Sequence, residues 1–300
     1  MNTKIKIDAP SFRAPLPHFL KQKVPRGESF HRVQENIRGR KLNTVCEQAK
    51  CPNRTHCYER GTLAFQILGN ICTRSCGFCS ETFGKPLTGR DPTEPLRIVE
   101  TARNLRLKHV VITSPARDDL SDDGAQAFVD TVKLFRHDLP AVTVELLTPD
   151  FRGRAECLDL VINCKPDIFN HNIETVRRLT PKVRSKATYD RTLWVLKRAH
   201  EAQLRTKSGL MVGHGETKEE ILQTLQDLVG VGCKMLTLGQ YLPPSAHHLP
   251  LQKIYAPAEF DALKTEALKF GFIDVAAGPL VRSSYYADKA ALQVFRSLRY

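Results

Sequence analysis

Six of the nine cysteines fall inside a 34-residue window, in two triplets of different spacing. Cys46, Cys51 and Cys57 read C-x4-C-x5-C, and Cys72, Cys76 and Cys79 read C-x3-C-x2-C. Three thiolates in the second spacing can bind three corners of a cubane [4Fe–4S] cluster, which ordinarily takes four protein ligands. The fourth iron is then open, and an open metal position is where chemistry happens. Zinc is the plain alternative, because C-x2-C is half of a zinc knuckle and Cys57 or His56 is at hand as a further ligand. Structural zinc favours paired knuckles, however, and this chain has one.

The bulk numbers suit a soluble globular protein: 300 residues, 41% hydrophobic and 26% charged. No apolar run approaches the roughly 20 residues of a membrane helix. The start lacks an apolar signal core, and prolines at 10, 15 and 17 interrupt any amphipathic helix, so the cytoplasm is the expected compartment. Clustered cysteines of odd number argue for metal ligation over disulfides there. Cys157, Cys164 and Cys233 stand apart in apolar contexts and are expected to be plain buried thiols. The net charge of +13 suits nucleic acid or an acidic protein partner equally. The basic residues are spread along the chain without aromatic interleaving, so charge alone does not decide.

The elements that must position these groups follow from periodicity. Residues 1–40, rich in Pro, Lys and Arg, are expected to form an extended arm with one short helix, and residues 41–61 little regular structure. From Thr62 onward strands alternate with helices. Strands are expected at 62–69, 109–114, 141–147, 167–172, 207–213 and 234–241. Helices are expected at 92–107, 124–137, 153–163, 188–203, 217–232 and 257–270, before a last extended piece at 272–278. Thr93 is the expected N-cap of the first helix and Gly232 the stop of the fifth. Six strand–helix units imply a parallel sheet, either doubly wound or curled into a barrel or partial barrel. In both, ligands sit beyond the C-terminal strand ends. Polar segments at 72–79, 117–119, 148–150, 170–172, 213–216 and 240–241 follow the strands and read as one shared rim.

ICTRSCGFCSE after the first strand resembles the radical S-adenosylmethionine (SAM) superfamily. The resemblance implies that Cys72, Cys76 and Cys79 hold a cluster whose fourth iron binds SAM, with Phe78 near its adenine. GLMVGHGE fits the superfamily's G-x-I-x-G-x-x-E strand, Met211 replacing the aliphatic residue, with Gly213 and Glu216 at the cofactor. VCEQAKCPNRTHC and GPLVRSSYYAD together look like the lipoyl synthase family. The likeness spans about residues 45–288 and includes SPARDDLSDDGA, VELLTPDF, FNHNIETV and LGQYLPPSAHHLP. It implies that Cys46, Cys51 and Cys57 hold an auxiliary [4Fe–4S] cluster whose fourth ligand is Ser284, ahead of Ser283. A hard hydroxyl suits that soft site poorly, and a weak ligand is useful if its iron must be released. Tyr58 replaces a usual Trp, and Pro115, Ala116, Asp122, Asp123 and Gly124 vary a familiar segment; no cluster ligand is lost.

The fold implied is α/β, a partial (β/α)6 TIM-like barrel over 62–278. An extension over 1–61 and a tail over 279–300 would carry the auxiliary cluster. The reaction implied is insertion of two sulfur atoms at carbons 6 and 8 of an octanoyl chain on a carrier-domain lysine. Unactivated C–H bonds lie beyond acid–base chemistry, so cofactors must act. One cluster reduces SAM to a hydrogen-abstracting 5′-deoxyadenosyl radical, the auxiliary cluster gives up its sulfide, and two SAM molecules are used. Glu145, Asn170, Asn172 and Glu216 are candidates for the SAM side and Arg282 for positioning near the auxiliary cluster. His171, His247 and His248 are expected to make ordinary polar contacts.

The implied partners are octanoylated glycine cleavage H protein and the acyltransferase subunits of 2-oxoacid dehydrogenases. A donor such as ferredoxin or flavodoxin and an iron–sulfur carrier protein complete the set, with no nucleic acid or membrane. Rival classes are another radical SAM enzyme such as a methylthiotransferase, a non-catalytic iron–sulfur or zinc module, and a nucleic-acid binder.

Overall fold

A computed structural model describes residues 17–21, 27–59, 62–285 and 287, so parts of the expected arm and tail lie outside the described residues. After a 3-10 turn at His18–Leu20 come α1 (Glu28–Gly39) and β1 (Asn43–Thr44), then α2 (Val45–Gln48) and α3 (Arg54–Glu59). Residues 41–61 are therefore more regular than expected: Cys46 lies on α2 and Cys57 on α3. Helices of about one turn show no periodicity, and local bonds define these instead. Thr44 caps α2 by accepting from the Glu47 N–H at 3.3 Å. The Tyr58 hydroxyl, fully buried, lies 3.0 Å from Thr44 Oγ1, and its ring packs on Phe30.

The repeating part starts at β2 (Ala64–Gln66). A small parallel pair, β3 (Ile71–Cys72) and β4 (Thr82–Phe83), brackets the second cysteine triplet before α4 (Glu94–Asn104). Next come β5 (His109–Thr113) with α5 (Ala125–Asp138), and β6 (Thr143–Leu147) with α6 (Ala155–Asn163). β7 (Ile168–Asn170) is followed by the short α7 (Thr180–Val183) and by α8 (Tyr189–Glu201). β8 (Thr206–Val212) leads to α9 (Lys218–Gly230), β9 (Met235–Gln240) to α10 (Pro257–Phe270), and β10 (Asp274–Gly278) ends the series. The six expected strand–helix units are all present, and the last extended piece joins the sheet as a seventh parallel strand. Thr93 precedes α4 as expected but makes no capping bond. Asp91 Oδ1 instead accepts from the Thr93 N–H and hydroxyl at 2.8 and 2.7 Å. Gly232, at φ 84°, follows the end of α9 in the left-handed region that glycine tolerates.

The sheet runs β1-β2-β5-β6-β7-β8-β9-β10, with only β1 antiparallel to its neighbour. Each crossover steps the same way, so the order reversal that defines a doubly wound sheet is missing. Same-direction crossovers of one hand put all helices on one face and leave the other to curl inward. Among the described residues β1 and β10 do not pair, so the partial barrel stays open.

Strand alternation then sorts the side chains. Phe65, Val144, Leu146, Leu236 and Leu238 pack outward in the helix-covered core. Ala64, Gln66, Thr113, Leu147, Gly209, Met211, Thr237 and Gly239 face inward around a cavity. One layer deeper the inner face is charged. Glu145 is fully buried, and Lys207 Nζ lies 2.9 and 3.1 Å from its two oxygens. Asn170 Nδ2 donates to Glu145 Oε1 at 2.7 Å, and His109 Nε2 sits 3.6 Å from Oε2.

Burial alone would raise the Glu145 pKa, but Lys207 and His109 outweigh it and hold the carboxyl at about 2. In the unfolded chain a glutamate titrates near ~4.3, so this group stabilises the fold above that pH. Acid unfolding is expected to set in as pH falls from roughly 4 towards 2. Glu145→Gln should flatten that limb of a stability–pH profile followed by circular dichroism. Lys207→Met, which strands a buried carboxylate, is expected to cost about 3–5 kcal/mol at pH 7 by denaturant titration.

Candidate functional site

The inner face opens on a cavity of about 540 Å³ at the C-terminal strand ends. Five of the six clustered cysteines line it: Cys46 and Cys51 from the first triplet, and Cys72, Cys76 and Cys79 from the second. Ser283, Ser284 and Arg282 complete the same wall from beyond β10. Cys57 is half-buried on α3 outside the lining, one turn after Asn53, whose side chain donates to the Leu280 carbonyl at 2.5 Å. Three separate stretches of chain are thus tied together. The Ser80 hydroxyl, next to Cys79, donates to the Gln48 carbonyl, and Asn172 Nδ2 donates to Ser283 Oγ at 2.6 Å.

The second triplet is held from both sides. Gly77 N–H donates to Val183 O at 2.9 Å, and Leu249 N–H donates to Gly77 O at 3.0 Å. Leu249 leaves no room for a side chain at Gly77. His248 Nε2 lies 3.0 Å from the Cys79 carbonyl, with Nδ1 on Ser245 Oγ at 2.8 Å. His247 is exposed. His248 makes the ordinary polar contacts that the sequence suggests, whereas His247 contributes its backbone N–H, which donates to Ser245 Oγ at 3.3 Å.

The sulfurs suit thiolate ligation. Arg74 N–H reaches Cys72 Sγ and Ser185 N–H reaches Cys76 Sγ, each at 3.4 Å. Backbone N–H groups of Ala64, Asn53 and Glu81 serve Cys46, Cys51 and Cys79 in the same way. Such bonds tune cluster potentials. Burial pushes the Cys46 and Cys79 thiols up to about 12 and raises Cys51 and Cys76. Deprotonation there requires a cation, and loading releases protons. Among the described residues, no three His, Cys, Asp or Glu side chains are gathered for one metal ion. Soft donors distributed around a cavity, with amide support, fit a multi-iron cluster.

The other sequence candidates separate. Phe78 and Asn172 line the cavity. Glu145 and Asn170 do not: they form the charged layer beneath, where Lys207 takes the carboxylate. Gly213 and Glu216 also lie outside the lining and close a turn on themselves. Glu216 accepts from the Gly213 and His214 N–H groups at 2.6 and 2.9 Å and from the Tyr255 hydroxyl at 3.0 Å. That turn reaches the cavity through His214, whose ring stacks on Tyr241 at 4.0 Å. Arg117, expected on the rim, is buried and binds Leu68 O, Thr88 O and Asp119. His171 lines the cavity with Nδ1 2.8 Å from Thr148 O, and burial followed by Arg184 lowers its pKa to about 4, so it stays neutral. Cys157 and Cys233 are buried, and Cys164 is half-buried.

Sequence reasoning missed five charged lining residues, Lys50, Arg74, Glu81, Glu174 and Arg184. Burial raises the Glu174 pKa against the pull of Arg184, and Asn172 Nδ2 donates to it at 3.1 Å. Arg74, inside the C-x3-C gap, and Lys50, inside the C-x4-C gap, carried a positional signal.

Residues 67–228 match the radical SAM superfamily, and residues 1–51 match the N-terminal domain of lipoyl synthase of that family. Lipoyl synthase of Symbiobacterium thermophilum is 49% identical over 92% of this chain and 87% of that protein. The Methylococcus capsulatus lipoyl synthase is 50% identical over 94% and 89%. Among solved structures, methylornithine synthase superposes with a TM-score of 0.55 over 84% of this chain and 79% of its own, at 14% identity. The FeFe-hydrogenase maturase HydG from Carboxydothermus hydrogenoformans gives 0.53 over 89% and 78%, at 13% identity. Those two likenesses bear on fold.

The tail seats on β9 because Gly239 has no side chain: a Cβ there would overlap the Val281 carbonyl. Gly239→Ala should expel residues 281–284 from the wall at a local cost of about 1–3 kcal/mol. Hydrogen exchange is expected to rise across 279–285 while β8 stays protected; unchanged exchange in the tail would refute this seating.

Proposed function

The chain belongs to the lipoyl synthase family of radical SAM enzymes, and on that premise we propose how its residues divide the work. The enzyme inserts two sulfur atoms, at carbons 6 and 8, into a protein-bound octanoyl-lysine. Cys72, Cys76 and Cys79 hold the SAM-binding [4Fe–4S] cluster; Cys46, Cys51, Cys57 and Ser284 hold the auxiliary one. When bound, the clusters and SAM supply the hydrogen-abstracting radical and the inserted sulfur. The observation that carries this reading is the meeting of Cys46 and Cys51, the whole second triplet and the Arg-Ser-Ser-Tyr serines at one cavity.

The chain's own groups bind, orient and shield. Val45, Ala64, Leu147, Leu210 and Met211 give the lining an apolar stretch suited to an eight-carbon arm and exclude water from it. Phe78 and Asn172 serve the SAM side. Ser283 Oγ accepts a hydrogen bond from Asn172, which supports Ser284 as the serine for the metal. Arg282 lies close enough to Cys51 to favour its thiolate. Gly213 and Glu216 shape the cofactor site indirectly, through the turn behind Tyr241. Residues 1–61 are the extension that carries the auxiliary-cluster cysteines, 62–278 the partial barrel and 279–300 the tail with the Arg-Ser-Ser-Tyr motif.

The substrate is an octanoylated carrier protein. Such carriers are the glycine cleavage H protein and 2-oxoacid dehydrogenase acyltransferase subunits, drawn in by the net charge of +13 where they are acidic. Ferredoxin or flavodoxin supplies electrons, and an iron–sulfur carrier protein rebuilds the auxiliary cluster. Nine cysteines, six of them clustered, suit a reducing cytoplasm, and no helix among the described residues is long and apolar enough to cross a membrane.

Reconstituted protein mixed anaerobically with SAM, a reductant and an octanoyl-lysyl carrier peptide should yield lipoyl peptide and 5′-deoxyadenosine by mass spectrometry. Deoxyadenosine without sulfur insertion would sink the substrate assignment. Ser284→Ala is expected to keep SAM cleavage and lower lipoyl product by about tenfold or more, as loss of support at a metal site does. Ser283→Ala should be milder, and the reverse ranking would exchange the two serines.

A further inference from the structure

Arg74 lies inside the C-x3-C gap, two residues from Cys72 and two from Cys76, and is 7% exposed. A buried guanidinium is tolerated when carboxylates satisfy it in good geometry. Here two do, from two different loops of the barrel rim. Asp118, after β5, takes Arg74 Nε at 3.0 Å and Nη2 at 2.8 Å, while Asp150, after β6, takes Nη1 at 2.6 Å. Arg191 Nη1 holds the other Asp150 oxygen at 3.0 Å. The backbone beside the arginine is pinned as well. Thr73 N–H and its hydroxyl both donate to Ala116 O at 3.0 Å, and Asp118 N–H donates to Thr73 Oγ1 at 3.0 Å. Arg74 then turns its own N–H onto Cys72 Sγ at 3.4 Å.

We propose that Arg74 is a positioning residue, clasped by Asp118 and Asp150, that sets Cys72 and Cys76 for the SAM-binding cluster and tunes the potential of that cluster. This rests on the reading that Cys72, Cys76 and Cys79 hold that cluster. The side chain fixes the loop against two rim segments, and the main chain delivers a hydrogen bond to the first ligand. Its charge matters separately. Removing the guanidinium leaves two carboxylates near the cluster and disfavours the reduced state, whereas neutralising Asp118 leaves the cation less compensated and favours it. Net charge and hydrogen bonds to sulfur are the levers that set such potentials.

The test uses the full chain with both clusters reconstituted, comparing the parent with Arg74→Gln, Arg74→Lys and Asp118→Asn. Iron and sulfide per chain, the electron paramagnetic resonance signal that SAM perturbs, its redox titration, and melting of the metal-free protein are the readouts. Arg74→Gln is expected to lose the SAM-responsive signal at limiting iron, with an affinity loss of about tenfold or more. The auxiliary iron should remain near parental, while the metal-free protein should melt lower because Asp118 and the buried Asp150 lose a partner. What cluster Arg74→Gln retains should titrate to a more negative potential, and that of Asp118→Asn to a less negative one. Arg74→Lys should restore part of the iron without the parental potential, because an ammonium cannot engage both carboxylates as a fork does.

Full iron with an unshifted SAM-responsive potential in Arg74→Gln would overturn the proposal. So would loss of both clusters with a lower melting temperature in both Arg74→Gln and the isosteric Asp118→Asn, since the clasp would then serve only the fold. A Cys72→Ala/Cys76→Ala/Cys79→Ala chain that still gave the SAM-responsive signal would instead refute the underlying cluster assignment.

Discussion

A curled parallel sheet must do something with its inward face, and the treatment of that face governs the rest of this molecule. Lower down it is closed by the buried Glu145–Lys207 pair, with Asn170 and His109 around it. Higher up it is left empty, because alternate strand positions carry Ala64, Gly209 and Gly239. Larger residues there would fill the centre and leave an ordinary core. Asn172 Oδ1 would lie only 2.6 Å from a Cβ at Gly209, and the Val281 carbonyl would overlap one at Gly239. The missing side chains admit the two segments that complete the wall.

Completion is non-local. The first triplet reaches the second through Gln48 and Ser80, the tail through Asn53 and Leu280, and the tail reaches the barrel through Asn172 and Ser283. Each contact closes a long loop, which costs entropy that the local helices and strands do not recover. The sheet therefore supplies the stability, and the ligand-bearing segments ride on it.

Much of this was legible in the residues. Both triplets were visible from spacing, and the six strand–helix units from periodicity, including the seventh strand as a last extended piece. Depth was not. Glu145 and Asn170 sit on the same inward parity as the lining residues, and parity does not tell the floor from the opening; Lys207, 62 positions away, decides it. The helices bearing Cys46 and Cys57 were too short to show a period. Glu216 matches a cofactor motif, yet its carboxylate is spent on the N–H groups of its own turn. The clasp on Arg74 joins residues 44 positions apart, so only Arg74's place between two cysteines hinted at it.

The seating of Val281 over Gly239 also orders events in time. Gly239 sits near the end of β9, and β10 must lie alongside before the chain can turn back towards the cavity. A nascent chain can thus assemble the cysteine loops and most of the barrel while the serine-bearing wall is still inside the ribosome. Cluster-delivery machinery meeting such a chain would find thiols without their closing side. The complete wall of the cavity is therefore reserved for chains translated past β10.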